Sequence, residues 1–208
     1  MLMPPGRRVG LLGGSFNPAH RGHLHISREA LRLLDLDAVW WLVSPGNPLK
    51  PAAGMASLPA RLASARAMAA RWPRIHATAI EAALDTRFTI DTVQAFRRLA
   101  PRRRFIWLMG ADNLASFHRW RRWRAIARAV PIAVFARAGY QHAARIAPAM
   151  GWLRRFERPA ARARHWADWS TPAITLLPTR LDPSSATAIR AANPGWATRP
   201  FAATGDSD

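Results

Sequence analysis

Two histidines near the start of the sequence have the residue type and spacing for phosphate chemistry. His20 and His23 are three positions apart, and Gly22 lies between them, where it would leave room for a ligand. Side chains at i and i+3 of a helix lie on one face, so both imidazoles can reach the same group. At a helix start they would lie beside unpaired N–H groups and the positive end of the helix dipole. Gly13 and Gly14 would let a bulky anion approach the backbone. This combination favours a phosphate site.

The flanking sequence predicts a strand before these residues and a helix after them. Residues 9–12 form a short apolar run of the kind found in buried parallel strands. Apolar residues recur at helical spacing through 24–34, and Asn17-Pro18 predicts a turn between the two elements. In open α/β sheets, ligands bind at such a crossing, at the carboxyl end of a strand. A histidine pair alone is more often polar surface, and only the longer motif favours a site.

Strand and helix patterns alternate along the rest of the chain. Apolar runs predict strands at 38–43, 74–77, 104–110, 130–136 and 173–177. Helical spacing predicts helices at 58–72, 89–99, 146–156 and 185–192, and one or two short helices over 111–128. This alternation predicts the α/β class, with a Rossmann-like, doubly wound parallel sheet that has helices on both faces. We expect one domain over residues 1–208, with its motifs in 9–192 and a loosely ordered tail at 194–208.

The composition is that of a globular protein with a strong positive charge. Half of the 208 residues are apolar, and 31 basic residues against 12 acidic ones give a formal net charge of +19. Such a surface attracts anions, so nucleic acids and polyphosphate nucleotides are both candidate ligands. The chain has no cysteine, which excludes disulfides and thiolate metal sites and fits a cytoplasmic location. No apolar run approaches the roughly 20 residues of a membrane span, so we expect no membrane partner.

A longer motif contains the histidine pair: it runs from Gly13 to His23 and reads GGSFNPAHRGH. It is neither a P-loop nor the Gly-x-Gly-x-x-Gly fingerprint of dinucleotide-binding folds. It resembles the His-x-Gly-His signature of the nucleotidyltransferase superfamily, whose members transfer a nucleoside monophosphate from a triphosphate. The resemblance implies that His20 and His23 are catalytic.

Four further stretches resemble the bacterial nicotinate-nucleotide adenylyltransferases, a family of that superfamily. They are the loop Pro45–Lys50, the turn Gly110–Asp112, the loop Phe117–Trp120 and the late motif Ser184–Arg190. The late motif also has a physical rationale, because Ser184 or Ser185 can cap a helix whose free N–H groups bind an anion. After this motif the chain departs from the family, which usually continues with a longer apolar segment.

The resemblance implies that ATP and nicotinate mononucleotide react to give nicotinate adenine dinucleotide and pyrophosphate. It implies an ATP site made of Gly13, Gly14, Ser15, Phe16, His20, Gly22, His23, Gly110, Asp112, Ser185, Thr187 and Arg190. It implies an acceptor site made of Lys50, Phe88, Thr89, Trp120 and Arg137, in which Trp120 stacks on the nicotinate ring. Mg²⁺ is the implied cofactor, and it would bind through the ATP phosphates with mostly water ligands and no metal-binding side chain.

Two other functions stay open on the sequence alone. A sister adenylyltransferase that uses nicotinamide mononucleotide or phosphopantetheine would share the histidine motif but should lack the Phe117–Trp120 loop. A nucleic-acid-binding protein would explain the charge and the mixture of Trp and Arg at 119–124, since such side chains stack on bases. It would leave the histidine motif unexplained, so we do not expect nucleic acid as a partner. We expect a monomer or a homodimer.

Overall fold

The sheet at the centre of the molecule has six strands, and all of them are parallel. The structure is a computed structural model, and it describes residues 3–46, 54–137, 139–180 and 182–197. The strands are β1 (Arg8–Gly14), β2 (Ala38–Val43), β3 (Ile75–Thr78), β4 (Arg104–Gly110), β5 (Ile132–Phe135) and β6 (Ile174–Leu177). Their order across the sheet is β3-β2-β1-β4-β5-β6.

Helices connect the strands and flank the sheet. The α-helices are α1 (Arg21–Leu33), α2 (Leu58–Ala69), α3 (Ile80–Ala83), α4 (Thr89–Leu99), α5 (Ala111–Ser116), α6 (Trp123–Ala129), α7 (Gln141–Arg145), α8 (Met150–Leu153) and α9 (Ala186–Ala192). Short 3₁₀ helices lie at Phe117–Arg119, Arg154–Phe156 and Ala160–Asp168. The predicted doubly wound α/β fold is confirmed. None of the described helices is long and apolar enough to cross a membrane.

The strand order reverses at β1, and this places the histidine motif. The chain builds β2 and β3 on one side of β1, then returns to add β4 on the other side. The loops after β1 and β4 therefore leave the same edge of the sheet in opposite directions and open a crevice between them. Ligands of open α/β sheets bind at such a point, and the motif from Gly13 to His23 begins there.

Adjacent tryptophans of β2 show how the sheet buries both of its faces. Successive side chains of a strand point to opposite faces. The ring of Trp40 packs against Phe96 and Phe105 on one face, at centroid distances of 5.5 and 5.7 Å. The ring of Trp41 packs against Phe16 on the other face, at 5.2 Å. Both tryptophans are fully buried, so β2 reads as a continuous apolar run because helices cover it on both sides.

The largest difference from the predicted elements lies between β5 and β6. The sequence predicts one helix over 146–156, whereas the structure has only the short α8 and a 3₁₀ turn there, and a 3₁₀ segment follows at Ala160–Asp168. Trp166 anchors that segment, since its indole is 1% exposed and its Nε1 donates to the Leu34 carbonyl at 2.8 Å. Trp196 is also buried, at 6% exposed, so this position of the tail is packed rather than loose.

One carboxyl group is buried in the fold away from the histidine motif. Glu81 on α3 is 8% exposed, and its Oε1 accepts a hydrogen bond from the Thr92 hydroxyl of α4 at 2.9 Å. Burial raises the pKa of Glu81 to about 7, although the bond from Thr92 acts in the opposite direction. The folded protein therefore holds Glu81 mainly as the neutral acid below about pH 7.

Replacement Glu81→Gln should stabilise the protein at alkaline pH. A raised pKa in the folded state means that stability is lost as the pH rises from about 4.5 through about 7. An amide does not ionise, so the stability of the variant relative to the parent should grow by about 2–3 kcal/mol between pH 5 and 8, at 1.36 kcal/mol per pKa unit. Urea unfolding at several pH values measures this difference. The exposed Glu157→Gln is the control, and a Glu81→Gln difference that stayed constant with pH would contradict the burial of an ionising group.

Candidate active site

The histidine pair lies where β1 ends and α1 begins. His20 is the N-cap of α1 and is 5% exposed. Its Nδ1 accepts the Gly22 N–H at 3.1 Å, and the Nδ1 of His23 accepts the His20 N–H at 3.1 Å. The two ring centroids are 3.9 Å apart. The spacing of three residues therefore brings the imidazoles together on one side of the helix start.

These two hydrogen bonds decide which ring nitrogen carries the proton. Since Nδ1 accepts in both rings, the proton of each neutral imidazole is on Nε2, which is then a donor. Burial, and next the nearby Arg137 guanidinium, lower the pKa of His20 to about 4, although Asp182 acts in the opposite direction. His20 is therefore neutral near pH 7. It can act on a phosphate as an N–H donor rather than as a cation.

Two glycines of the motif are required by packing within the protein. A Cβ at Gly22 would lie 2.9 Å from Cε1 of the His20 ring. The room that Gly22 provides is therefore taken by the imidazole, whereas the sequence suggested room for a ligand. A Cβ at Gly13 would lie 2.6 Å from Cη2 of Trp107 on β4. Both glycines let an aromatic ring lie directly against the backbone of the motif.

The turn between β1 and α1 is supported from the core by Phe16. Its backbone is left-handed, with φ at +47°, and the residue is 1% exposed. Its ring lies between His23 and Trp41, at centroid distances of 4.5 and 5.2 Å. Phe16 therefore supports the His23 ring from the side of the core. It has almost no exposed surface itself, whereas Gly14 and Ser15 beside it are partly exposed.

A second group of predicted site residues lies where β4 and β5 end. Asp112 on α5 and Arg137 after β5 form an ion pair, with 3.3 Å between Oδ2 and Nη1. Gly110 lies directly under this carboxylate, since a Cβ there would be 2.4 Å from Oδ1. That Oδ1 is buried and has no hydrogen-bond partner within the described ranges. It is an acceptor that a ligand hydroxyl could satisfy.

The late motif folds as a capped helix, and its arginine reaches the first motif. Ser185 is the N-cap of α9 and accepts the Ala188 N–H at 3.1 Å. Arg190 donates from Nη1 to the Asn17 carbonyl at 2.6 Å and from Nη2 to the Thr187 hydroxyl at 3.4 Å. A guanidinium has five N–H donors, so these two bonds do not use all of them. The contact draws α9 to the turn that precedes the histidine pair.

The residues predicted to hold the acceptor also come together in part. Trp120 is half-buried, and its ring packs edge-on with Phe117 and Trp107, at 5.3 and 6.1 Å between centroids. The guanidinium of the next residue, Arg121, lies 4.6 Å from the centroid of the Phe88 ring. Phe88 immediately precedes α4, so the loop after α5 adjoins the N-terminus of that helix. Thr89 is the first residue of α4, and Lys50 lies outside the described residues.

Sequence reasoning did not single out three polar residues around this site. The Oδ1 of Asp182 accepts the Ser184 N–H at 2.8 Å. His25, for which the sequence suggested no partner, has Nε2 2.6 Å from the Arg180 carbonyl and thereby joins α1 to the segment after β6. Arg61 on α2 is buried beneath the turn after β1. The contacts of His25 and Arg61 span 155 and 46 positions, so no local pattern in the sequence marks them. The bond within Asp182–Ser184 is local, but the sequence gives no sign that this turn adjoins the histidine pair.

Comparison with known proteins agrees with this geometry. The family model for cytidylyltransferase-like proteins matches residues 11–192. The "Probable nicotinate-nucleotide adenylyltransferase" of Erythrobacter litoralis is 60% identical over 92% of this chain and 87% of its own length. The protein of that name from Parvibaculum lavamentivorans is 52% identical over 95% of this chain and 98% of its own length. The chain belongs to the nicotinate-nucleotide adenylyltransferase family.

Solved structures support the fold of this family. The Plasmodium falciparum nicotinic acid mononucleotide adenylyltransferase complexed with NaAD aligns with a TM-score of 0.64, over 89% of this chain and 83% of that chain. Its complex with APC aligns with a TM-score of 0.62 over the same shares. The sequence identities are only 14% and 13%, so these two likenesses show the fold and nothing finer.

Two variants should separate the role of His20 as a helix cap from its role as a hydrogen-bond donor to the ligand. His20→Ala removes both the helix cap and the Nε2 donor, so it should lower kcat on the order of 10²-fold and cost about 0.5–2 kcal/mol of stability. His20→Ser restores a capping oxygen but has no ring to reach the ligand. It should keep most of the stability and still lose kcat. Steady-state kinetics and thermal melts on both variants measure this, and a Ser variant with parental kcat would make His20 only a cap.

Proposed function

We propose that the chain transfers the adenylyl group of ATP to nicotinate mononucleotide, which releases pyrophosphate and forms nicotinate adenine dinucleotide. The observation that carries this proposal is the histidine pair, held with both Nδ1 atoms on backbone N–H groups at the reversal of strand order. The 60% identity to a relative named for this activity supports the same reaction.

The reaction needs positioning and charge stabilisation more than it needs a base. An oxygen of the acceptor 5′-phosphate attacks the α-phosphorus of ATP, and the bond to the β-phosphate oxygen breaks as pyrophosphate leaves. A phosphate monoester has a second pKa of about 6 and is already an anion at neutral pH. The Nε2–H groups of His20 and His23 would donate to the phosphates and stabilise the charge that develops on them.

A neutral donor suits this step. If His20 were a cation in the free enzyme, it would attract the tetra-anionic substrate but would also need a counter-charge in a buried site. Its burial keeps it neutral, and the hydrogen bond from Gly22 fixes its ring before ATP arrives. Preorganised donors of this kind need no rearrangement during the reaction, which is the basis of electrostatic catalysis.

Magnesium fits this site only as an ion carried by the nucleotide. Within the described ranges there is no group of three or more His, Asp or Glu side chains that could hold a metal. The two histidines of the motif offer N–H donors, which bind phosphate oxygens and not a hard cation. A Mg²⁺ bound through the ATP phosphates would neutralise charge on the leaving pyrophosphate.

The other predicted site residues form two groups, one that would bind ATP and one that would bind the acceptor. Asp112, whose Oδ1 has no hydrogen-bond partner among the described residues, would accept from the ribose hydroxyls of ATP. Ser185 with Thr187 and Arg190 would hold the ATP phosphates. At the acceptor end, Trp120 would stack on the pyridine ring. The N-terminus of α4 at Phe88 and Thr89 would offer N–H groups to the carboxylate, and Arg137 and Lys50 would supply positive charge to the acceptor.

Further proposals concern the setting of the enzyme. We propose a cytoplasmic location, with which the absence of cysteine is consistent, and a monomer or homodimer as the active form. A sister reaction with nicotinamide mononucleotide is the second candidate, because a pyridine amide could stack on the same tryptophan.

Pyrophosphate release with each acceptor in turn tests the proposed reaction. The purified chain, ATP and Mg²⁺ are incubated with nicotinate mononucleotide, nicotinamide mononucleotide, phosphopantetheine or no acceptor. We expect release with the nicotinate form and at least tenfold lower kcat/KM with the amide. Faster reaction with phosphopantetheine or the amide would overturn the acceptor assignment. Binding of single-stranded RNA that falls steeply with salt, without any pyrophosphate release, would favour a nucleic-acid-binding protein.

Trp120→Ala should weaken acceptor binding specifically. Stacking of a planar ring on an aromatic side chain contributes about 1–3 kcal/mol, so KM for nicotinate mononucleotide should rise roughly 5- to 150-fold at 1.4 kcal/mol per factor of ten. KM for ATP should change little, and Trp120→Phe should recover part of the loss.

The matched control is Trp123→Ala, in the same segment. Trp123 is also half-buried, and its ring packs edge-on with Phe117 and Trp152, at 5.8 and 5.5 Å between centroids. Its loss should lower the melting temperature without changing the acceptor KM. If Trp120→Ala behaved in the same way, Trp120 would be a packing residue only.

A further inference from the structure

Arg61 has no part in the proposed reaction, yet it is among the most deeply buried side chains of the described structure. It lies in the first turn of α2 and is 1% exposed. None of the ion pairs found in the described ranges involves it. A buried guanidinium is costly unless hydrogen bonds replace its hydration, so the partners of Arg61 show what its burial achieves.

Within the part of the chain that the structure describes, the hydrogen-bond partners of the Arg61 guanidinium are all backbone carbonyls. Its Nη1 donates to Ser15 at 2.8 Å and to Ser44 at 2.7 Å. Its Nε donates to Ala56 at 2.9 Å, and its Nη2 donates to Pro45 at 3.2 Å. Four of its five N–H donors are thus used on four separate peptide groups. A lysine ammonium has three donors and no planar fork, so it could not make the same set.

These carbonyls belong to two neighbouring loops at the candidate site. Ser15 lies in the turn between β1 and α1, and Ser44 and Pro45 directly follow β2. Ala56 precedes α2, so Arg61 holds both ends of the segment from 45 to 56. Asn17 of the first motif holds the same segment, since its Nδ2 donates to the Gly54 carbonyl at 2.9 Å and its Oδ1 accepts the Ala56 N–H at 3.2 Å.

A short path connects Arg61 to the histidine pair. Ser15 immediately precedes Phe16, whose ring lies 4.5 Å from that of His23 between centroids. Ser44, another partner of Arg61, donates its N–H to the Gly14 carbonyl at 3.0 Å and so joins the end of β2 to the end of β1. Loss of the guanidinium would release the Ser15 carbonyl and allow Phe16, and with it His23, to shift.

We propose that Arg61 is a positioning residue for ATP, whose guanidinium joins the turn after β1 to the loop after β2 and so holds the histidine pair in register with the phosphates. The identity of the ligand rests on the proposed function. This role differs from that of a core residue, because replacement of Arg61 should weaken nucleotide binding in a protein that is still folded.

Calorimetric titration with ATP and Mg²⁺, without any acceptor, tests this role on the full chain. Arg61→Lys keeps the charge but loses the fork, and Arg61→Met keeps the length without a donor. We expect ATP to bind 10- to 100-fold more weakly to both variants, which corresponds to about 1.4–2.8 kcal/mol at 1.4 kcal/mol per factor of ten. The backbone amides of residues 14–17, 44 and 46 should exchange hydrogen faster. Arg66→Lys, an exposed position on the same helix, is the matched control and should bind ATP within twofold of the parent.

The outcomes separate positioning from stability. Variants that melt at a lower temperature but bind ATP within twofold of the parent, measured well below the melting point, would overturn the proposal. Failure of both Arg61 variants to fold would also overturn it, because Arg61 would then be an element of stability alone. ATP binding is measured without acceptor, so a wrong acceptor assignment would not affect this result. A parent chain that binds no ATP would instead contradict the proposed function itself.

Discussion

The candidate site depends on two hydrogen bonds from backbone N–H groups to imidazole nitrogens at the start of α1. One bond, from Gly22 to His20, caps the helix, and the other, from His20 to His23, ties the second ring to the same turn. Together they begin the helix, bring the rings to 3.9 Å and put both donors on Nε2. Because the donors are peptide groups, this arrangement follows from the backbone path between β1 and α1, and the residues that support the path therefore support the chemistry.

The high charge of the chain and the neutral His20 act on an anionic ligand at different distances. A net charge of +19 raises the local concentration of polyanions, although exposed charges are screened beyond about 8 Å at physiological ionic strength. At contact distance, Arg137 is already paired with Asp112, and Arg190 already donates to the Asn17 carbonyl with one of its groups. In the proposed reaction, short hydrogen bonds from the histidine rings would then distinguish a correctly placed phosphate from one that is merely attracted.

The sequence predicts the sheet well because its strands are local patterns. The strands at 38–43 and 104–110 and the helix at 89–99 have the predicted bounds, since buried runs and helical periodicity involve only near neighbours. The motif of the histidine pair was also readable, because its capping bonds join residues two and three positions apart.

The support of the site was not readable from local patterns. Arg61 reaches Ser15 over 46 positions, and Arg190 reaches Asn17 over 173. An arginine that binds carbonyls looks the same in sequence as one that faces solvent, particularly in a chain with 31 basic residues. The 3₁₀ segment that buries Trp166 has no regular apolar period, so periodicity could not find it.

The glycines show how a sequence signature can combine chemistry with packing. The sequence suggests that Gly13 lets a phosphate approach the backbone, yet Cη2 of Trp107 lies only 2.6 Å from the position that a Cβ would take there. The ring of Trp107 also packs edge-on with Trp120, at 6.1 Å between centroids. One indole thus spans from the motif of the histidine pair to the loop proposed to hold the acceptor. A side chain at position 13 would displace that indole and disturb the loop proposed to hold the acceptor. The packing between the two halves of the site therefore requires glycine at this position, whether or not a phosphate also passes close to it.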